Sequence, residues 1–319
     1  MSTAPHSTAD VVVCDAFLRD GIQGWPDVLP TADKVAVLNA LVASGVSELD
    51  VTSFVPAKLV PQFADSLDLL AAVPPDVAIR VLTVNARGVQ GVVEAHRTVR
   101  NINRCGIPYS VSEPHNLANL RRNHHDHRIV VAEMVDRLVE EGIDPLIGVA
   151  TAYGCPIQGR VPREDVLDTV EWVHGLGVRT IMFGDTTGTA DPATVSDLFS
   201  TAASTWPDAH FIAHFHDNRG LGIANVLAAI AAGAQTVDAS LGGVGGEPSM
   251  VDQGDVGESG NVTTEDLVAG LEQMGISTGI DREALLEAGL VAESVLGRRL
   301  HSRVLRAGLI PFTAERREV

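Results

Sequence analysis

Residues 210–220 read HFIAHFHDNRG, an apolar run that carries histidines at 214 and 216 and stops at Asp217. The run predicts a strand, and because side chains alternate along a strand, His214 and His216 share one face, roughly 6.6 Å apart along the chain. Two imidazoles so placed can converge on one metal ion or stand as structural histidines. The pair alone leaves both readings open.

Working outward, seven more β-rich runs recur: VVVCDAF (11–17), SELDVTSF (47–54), AIRVLTV (78–84), GIPYSVS (106–112), PLIGVATAY (145–153), VRTIMFG (178–184) and TVDASLGG (236–243). Between them lie amphipathic segments such as ADKVAVLNALVASG, RIVVAEMVDRLVEEG, REDVLDTVEWVHGLG and GIANVLAAIAAG, with apolar residues at helical spacing and often a terminal glycine. Strands alternating with helices imply a parallel sheet with right-handed crossovers, and eight such units can close into a barrel. The expected fold is therefore an α/β (β/α)8 TIM barrel with an additional C-terminal helix, DREALLEAGLVAESVLGR, after the eighth helix, TTEDLVAGLEQMG. An open doubly wound sheet is the alternative, weakened because no Gly-x-Gly-x-x-Gly follows the first strand. With no linker or low-complexity tract, residues 1–319 are expected to form a single catalytic domain, residues 1–10 being flexible.

A net charge of −18 opposes a nucleic-acid or anionic-membrane partner, since an acidic surface repels phosphates. Three scattered cysteines, Cys14, Cys105 and Cys155, argue against a disulfide framework or a zinc knuckle. The polar start MSTAPHSTAD has no signal-peptide core, and no run of about 18 apolar residues could span a bilayer. The expectation is a cytoplasmic protein.

In such a barrel the active site lies at the C-terminal strand ends, so the polar residues closing each apolar run form the candidate set. The first run ends in Arg19, Asp20 and Gln23; the second holds Asp50 and ends in Thr52 and Ser53; the fifth ends at Thr151 and Tyr153; the sixth ends in Asp185 and Thr186. The seventh brings His214, His216 and Asp217, and the eighth enters the glycine-rich loop 242–261, which finishes at Asn261. Asp20, His214, His216 and Asn261 together make a mixed nitrogen and oxygen site, suited to a hard or borderline divalent ion rather than to structural zinc.

These residues bring the chain close to a known family. LRDGIQ (18–23), VTSFVPAKLVPQFAD (51–65), SEPHN (112–116), GDTTGTADP (184–192), HFHDNRGLGIAN (214–225) and SGNVTTEDLV (259–268) make the sequence resemble the 3-hydroxy-3-methylglutaryl-CoA lyases, within the metal-dependent barrel lyases and Claisen-type synthases. The likeness spans about residues 11–305. It implies that Asp20, His214, His216 and Asn261 hold Mg2+ or Mn2+, that Arg19 stabilises an enolate oxygen, and that the substrate is a CoA thioester. The implied reaction is a retro-aldol or retro-Claisen cleavage of a 3-hydroxyacyl-CoA to acetyl-CoA and a keto acid. Gln23, Asp50 and Thr186 are then candidate substrate contacts, Asp50 standing where the family usually has Glu.

The family's loop carries a cysteine within GGCP that shuttles a proton; here the loop reads GGEP, with Glu247, and is about five residues longer. Glu247 either replaces that thiol as acid or base or selects the substrate. The expected catalytic set is Arg19, Asp20, His214 and Glu247. Arg121 and Arg122, with Arg298 and Arg299 further on, are candidate contacts to CoA phosphates. A homodimer or larger homo-oligomer is expected from the family. Two other readings remain: an acetyl-CoA/2-oxo acid condensing enzyme of the same group, disfavoured because such enzymes add C-terminal domains, and a non-catalytic metal-binding barrel.

Overall fold

A computed structural model describes residues 9–246 and 260–311. Eight parallel strands close into a barrel: β1 (Val12–Asp15), β2 (Glu48–Ser53), β3 (Ala78–Leu82), β4 (Arg104–Ser110), β5 (Asp144–Ala150), β6 (Thr180–Asp185), β7 (His210–Phe215) and β8 (Thr236–Ala239). Closure is made by β8 pairing with β1, Val13 opposite Val237. The (β/α)8 expectation is met and the open sheet is excluded.

Around the barrel run α1 (Thr31–Ala43), α2 (Ser66–Ala72), α3 (Ala86–Thr98), α4 (Glu113–Leu120), α5 (His124–Glu140), α6 (Arg163–Gly175), α7 (Pro192–Thr205), α8 (Gly222–Ala231), α9 (Thr264–Gln273), α10 (Arg282–Leu296) and α11 (Val304–Ala307). The additional C-terminal helix is α10. Asp281 caps it by accepting from the Ala284 amide, and Gly297 ends it at φ +70°, where a side chain would be strained. It packs against α1. Asp10, expected to be flexible, is tied down: its amide donates to the Ser277 carbonyl at 2.7 Å and its carboxylate accepts from the Ser277 amide. No described helix is long and apolar enough to cross a membrane.

The alternation of each strand divides two environments. Leu49, Val51, Ile79, Val81, Ile107, Val149, Ile181, Phe183, Phe211 and Phe215 are buried in the core. The opposite positions meet across the barrel interior, where Arg80 bonds Asp238, Arg104 bonds Glu48, and His210 bonds Thr236. The usual barrel interior is filled with branched apolar side chains, so this charged interior departs from the pattern.

Candidate active site

Arg19 and Asp20 stand on a turn of π-helix, Phe17–Gly21, that takes over where β1 ends, with the Gly21 amide bonded to the Ala16 carbonyl at 3.0 Å. Such turns recur at functional sites because the wider turn redirects side chains. Here it places Asp20 over the barrel mouth beside the end of β7. His214 and His216 face each other there, Nε2 to Nε2 at 3.2 Å, and His216 Nε2 lies 3.8 Å from Asp20 Oδ2.

Asn261 arrives from the far end of the glycine-rich loop. It forms a β-bridge with His216, the neighbouring Asp217 amide donates to the Gly260 carbonyl at 2.6 Å, and the Asn261 amide nitrogen donates to Asp20 Oδ2 at 2.7 Å. Its Oδ1 is buried without a hydrogen-bond partner among the described residues. One ligand atom each from Asp20, His214 and His216 falls within 4.8 Å of the others. A buried carboxylate, two converging imidazole nitrogens and an unpartnered amide oxygen make a donor set that fits a divalent cation. The structure thus brings together the four residues expected as ligands.

Asp20 is held well below the usual carboxylate range: burial favours its neutral form, but the adjacent Arg19 charge and the bond from His216 outweigh burial. Arg19 in turn is held firmly cationic, since the Asp50 and Asp20 carboxylates overcome the effect of burial. Its Nε donates to Asp50 Oδ2 and its Nη1 to Asp20 Oδ1, both at 2.6 Å. Asp50 Oδ1 is buried and has no hydrogen-bond partner among the described residues.

Two functional side chains were not singled out in the sequence. Asp238 on β8 accepts from His214 Nδ1 at 3.1 Å and is gripped by Arg80 of β3, at 2.6 Å from Nη2 and 3.1 Å from Nη1. Burial works against ionisation of Asp238, yet Arg80 and His214 keep its carboxyl below the ordinary range. An ionised Asp238 fixes the His214 proton on Nδ1, which leaves the Nε2 lone pair turned toward His216 and Asp20. Arg80 Nε also faces Glu48 Oε1 at 3.1 Å, and Glu48 is held by Arg104 as well. The available signal was a lone Arg in AIRVLTV and a lone Asp in TVDASLGG, both at inward-facing positions. Arg80→Met strands the buried Asp238 carboxylate and leaves Glu48 to Arg104 alone, so we expect a stability loss of about 3–5 kcal/mol in chemical denaturation. A loss under about 1 kcal/mol would remove the charge-clamp account.

A cavity of about 410 Å³ opens beside the cluster, lined by Arg19, Asp20, Gln23, Asp50, Thr186, His214 and His216 among others. Gln23 is half-buried at its edge. The Thr186 hydroxyl lines the cavity but its oxygen accepts from the Thr151 amide at 2.8 Å, holding Thr151 at φ +58°. Asp185 turns away: it accepts from the Thr189 and Ala190 amides and organises its own loop. Arg121 is exposed just past Leu120, and the Arg122 guanidinium donates to the Val84 carbonyl; Leu120 and Val84 both line the cavity rim. Arg298 instead stacks over Trp25 at 4.6 Å. Glu247 lies outside the described residues.

The HMGL-like family model matches residues 10–291. A hydroxymethylglutaryl-CoA lyase of Bacillus subtilis, YngG, is 32% identical over 298 residues, which cover 93% of this chain and 96% of that one. The mitochondrial hydroxymethylglutaryl-CoA lyase of Bos taurus is 32% identical over 93% of this chain and 89% of its own. Among solved structures, an HMG-CoA lyase from Acenitobacter baumannii in complex with coenzyme A and 3-methylmalate superimposes with a TM-score of 0.86 at 35% identity, covering 96% of this chain and 97% of that one.

Proposed function

Because the chain belongs to the HMGL-like family, we propose that it is a metal-dependent carbon–carbon lyase that cleaves a 3-hydroxyacyl-CoA thioester to acetyl-CoA and a keto acid. The observation that carries this reading is the convergence of Asp20, His214 and His216 beside the Arg19 guanidinium on one cavity. The proposed holders of the cation are these three with Asn261. When bound, Mg2+ or Mn2+ would lower the pKa of the substrate hydroxyl and fix its geometry.

The protein's own groups supply the remainder. Arg19, locked in place by Asp20 and Asp50, keeps a permanent forked cation at the cavity wall, where it offsets charge developing on the thioester oxygen as the C2–C3 bond breaks. Asp50 Oδ1, buried without a partner among the described residues, is a ready acceptor for a substrate or water hydrogen. Asp238 orients His214 so that Nε2 faces the site. Glu247 is assigned the proton delivery that a loop thiol performs in the family, and Gln23 and Thr186 the contacts to the acyl part. Arg121 and Arg122 are assigned to the CoA phosphates, a cytoplasmic homo-oligomer being the proposed working form. The chain is proposed to act as one catalytic domain.

Purified protein loaded with Mn2+ and incubated with a panel of 3-hydroxyacyl-CoA esters is expected to release acetyl-CoA, detected by mass spectrometry. EDTA or His214→Ala should abolish release, and Glu247→Gln should lower turnover with cation binding intact. Consumption of acetyl-CoA on addition of 2-oxo acids, with no cleavage, would instead identify a condensing enzyme.

A further inference from the structure

The cavity does not stop at the ligand cluster. From Asp20, His214 and His216 it continues past Asp50 of β2 and Arg80 of β3 to β4, β5 and β6, where several lining residues are short: Gly106 and Pro108 on β4, Gly148 and Ala150 on β5 and Gly184 on β6, beside Ile107, Leu146 and Met182. Gly106 stands opposite Leu146 in the sheet register, and Gly148 opposite Met182. A Cβ on Gly106 would find nothing nearer than the Val81 carbonyl oxygen at 3.5 Å. On Gly148 it would first meet the flexible methyl end of Met182 at 3.1 Å. Backbone packing therefore does not demand glycine at either position.

Barrel interiors are ordinarily filled by layers of bulky branched side chains at close-packed density, and unfilled apolar volume destabilises a fold. The truncated layer instead leaves an apolar recess leading away from the ligand cluster. Arg80 lines it, but with its charge matched by Asp238 and Glu48 the recess offers no net attraction for an anionic chain.

We propose that this recess receives an aliphatic branch of several carbons carried by the carbinol carbon of the substrate. The preferred thioester is then a 3-hydroxy-3-alkylglutaryl-CoA whose alkyl group R is longer than methyl. This rests on the lyase reading above. The 3-hydroxyl gives up its proton and becomes the ketone, and the C2–C3 electron pair passes to the thioester α-carbon, which takes a proton. The products are acetyl-CoA and R–CO–CH2–COO−, with no oxidant or reductant required.

The test measures kcat/KM for R as methyl, propyl and hexyl on the Mn2+-loaded enzyme and on Gly106→Val and Gly148→Val. Each methylene buried in the recess should raise kcat/KM about fourfold, so propyl should exceed methyl by roughly 15-fold. Either valine should lower the hexyl-to-methyl ratio at least tenfold. A ratio taken within one enzyme is insensitive to losses of folded or metal-loaded protein. Calorimetric binding of 3-oxononanoate against acetoacetate, to wild type and Gly106→Val, reads the recess without catalysis and should favour the longer acid only in the wild type.

Preference for methyl, ratios unmoved by both valines, or preference for a chain ending in carboxylate would overturn the aliphatic recess and leave the lyase reading standing. Tight, valine-sensitive binding of 3-oxononanoate with no thioester cleaved would support the recess and overturn the reaction. Failure of both cleavage and binding overturns both.

Discussion

Arg19→Gln should reduce kcat/KM by about 10³-fold, or about 4 kcal/mol of transition-state stabilisation, while divalent cation binding changes little. Arg19 contributes two things that glutamine lacks: a charge that no accessible pH removes and a planar fork. Its Nε and Nη1 are committed to Asp50 and Asp20, and among the described residues Nη2 has no partner. No described residue therefore competes there with a developing oxyanion. Arg19→Lys keeps the charge but not the fork, and a single ammonium cannot bridge both carboxylates and still reach the substrate, so a loss of about 10–10² is expected.

The substitution also strands Asp20 and Asp50, two buried carboxylates, so thermal stability must be measured alongside. The discriminating observation is that the loss falls on kcat, with cation affinity, read by Mn2+ electron paramagnetic resonance, nearly unchanged. Asp20, relieved of its ion pair, is if anything a better ligand. Retention of more than a tenth of wild-type kcat/KM in Arg19→Gln would remove it from the chemistry.

How far the sequence reaches into this arrangement depends on the range of each interaction. The barrel was legible because period-two apolar runs alternate with helical ones, and that rhythm is local. Asp20, His214, His216 and Asn261 were legible for a related reason: each closes an apolar run or its loop, and topology brings such ends to one face. The Arg80–Asp238 pair was not, although both charges interrupt apolar strands. Their meeting spans 158 residues and depends on the barrel closing, which no local pattern encodes.

The recess was hidden for a different reason. A glycine within a strand can mark a bulge, a close backbone approach or a missing wall, and only the surroundings of Gly106 and Gly148 distinguish these. The strand before LRDGIQ also reads longer than it is, because the π-turn at Phe17–Gly21 continues its apolar character without its geometry. Thr186 ended the sixth run as expected, but part of its hydrogen-bonding capacity holds Thr151.

The ligand cluster carries the other large effect, and its layers separate by size. Asp20→Asn keeps the shape but removes the anionic charge among the candidate ligands and turns an amide NH2 toward one of the two donors, Arg19 or Asn261, that the carboxylate accepted from, so cation affinity should weaken by more than about 10²-fold and turnover should fall to the level of EDTA-treated enzyme. Asp238→Asn reaches the cation through His214, because an amide no longer compels the imidazole proton onto Nδ1, and an affinity loss of about 10–100-fold is expected; it also breaks the buried pair with Arg80, so the stability of the cation-free protein is the baseline. Calorimetric titration with Mn2+ reads both. Thermal unfolding gives a second view, because a cation at 100 times its Kd stabilises the folded state by about 2.7 kcal/mol. Wild-type melting should therefore rise by several degrees on adding Mn2+, Asp20→Asn should not respond at that concentration, and Asp238→Asn should respond only at higher concentration. Equal responses in wild type and Asp20→Asn would place the cation elsewhere, and the pairing of Asp20 with Arg19 would then be its whole role.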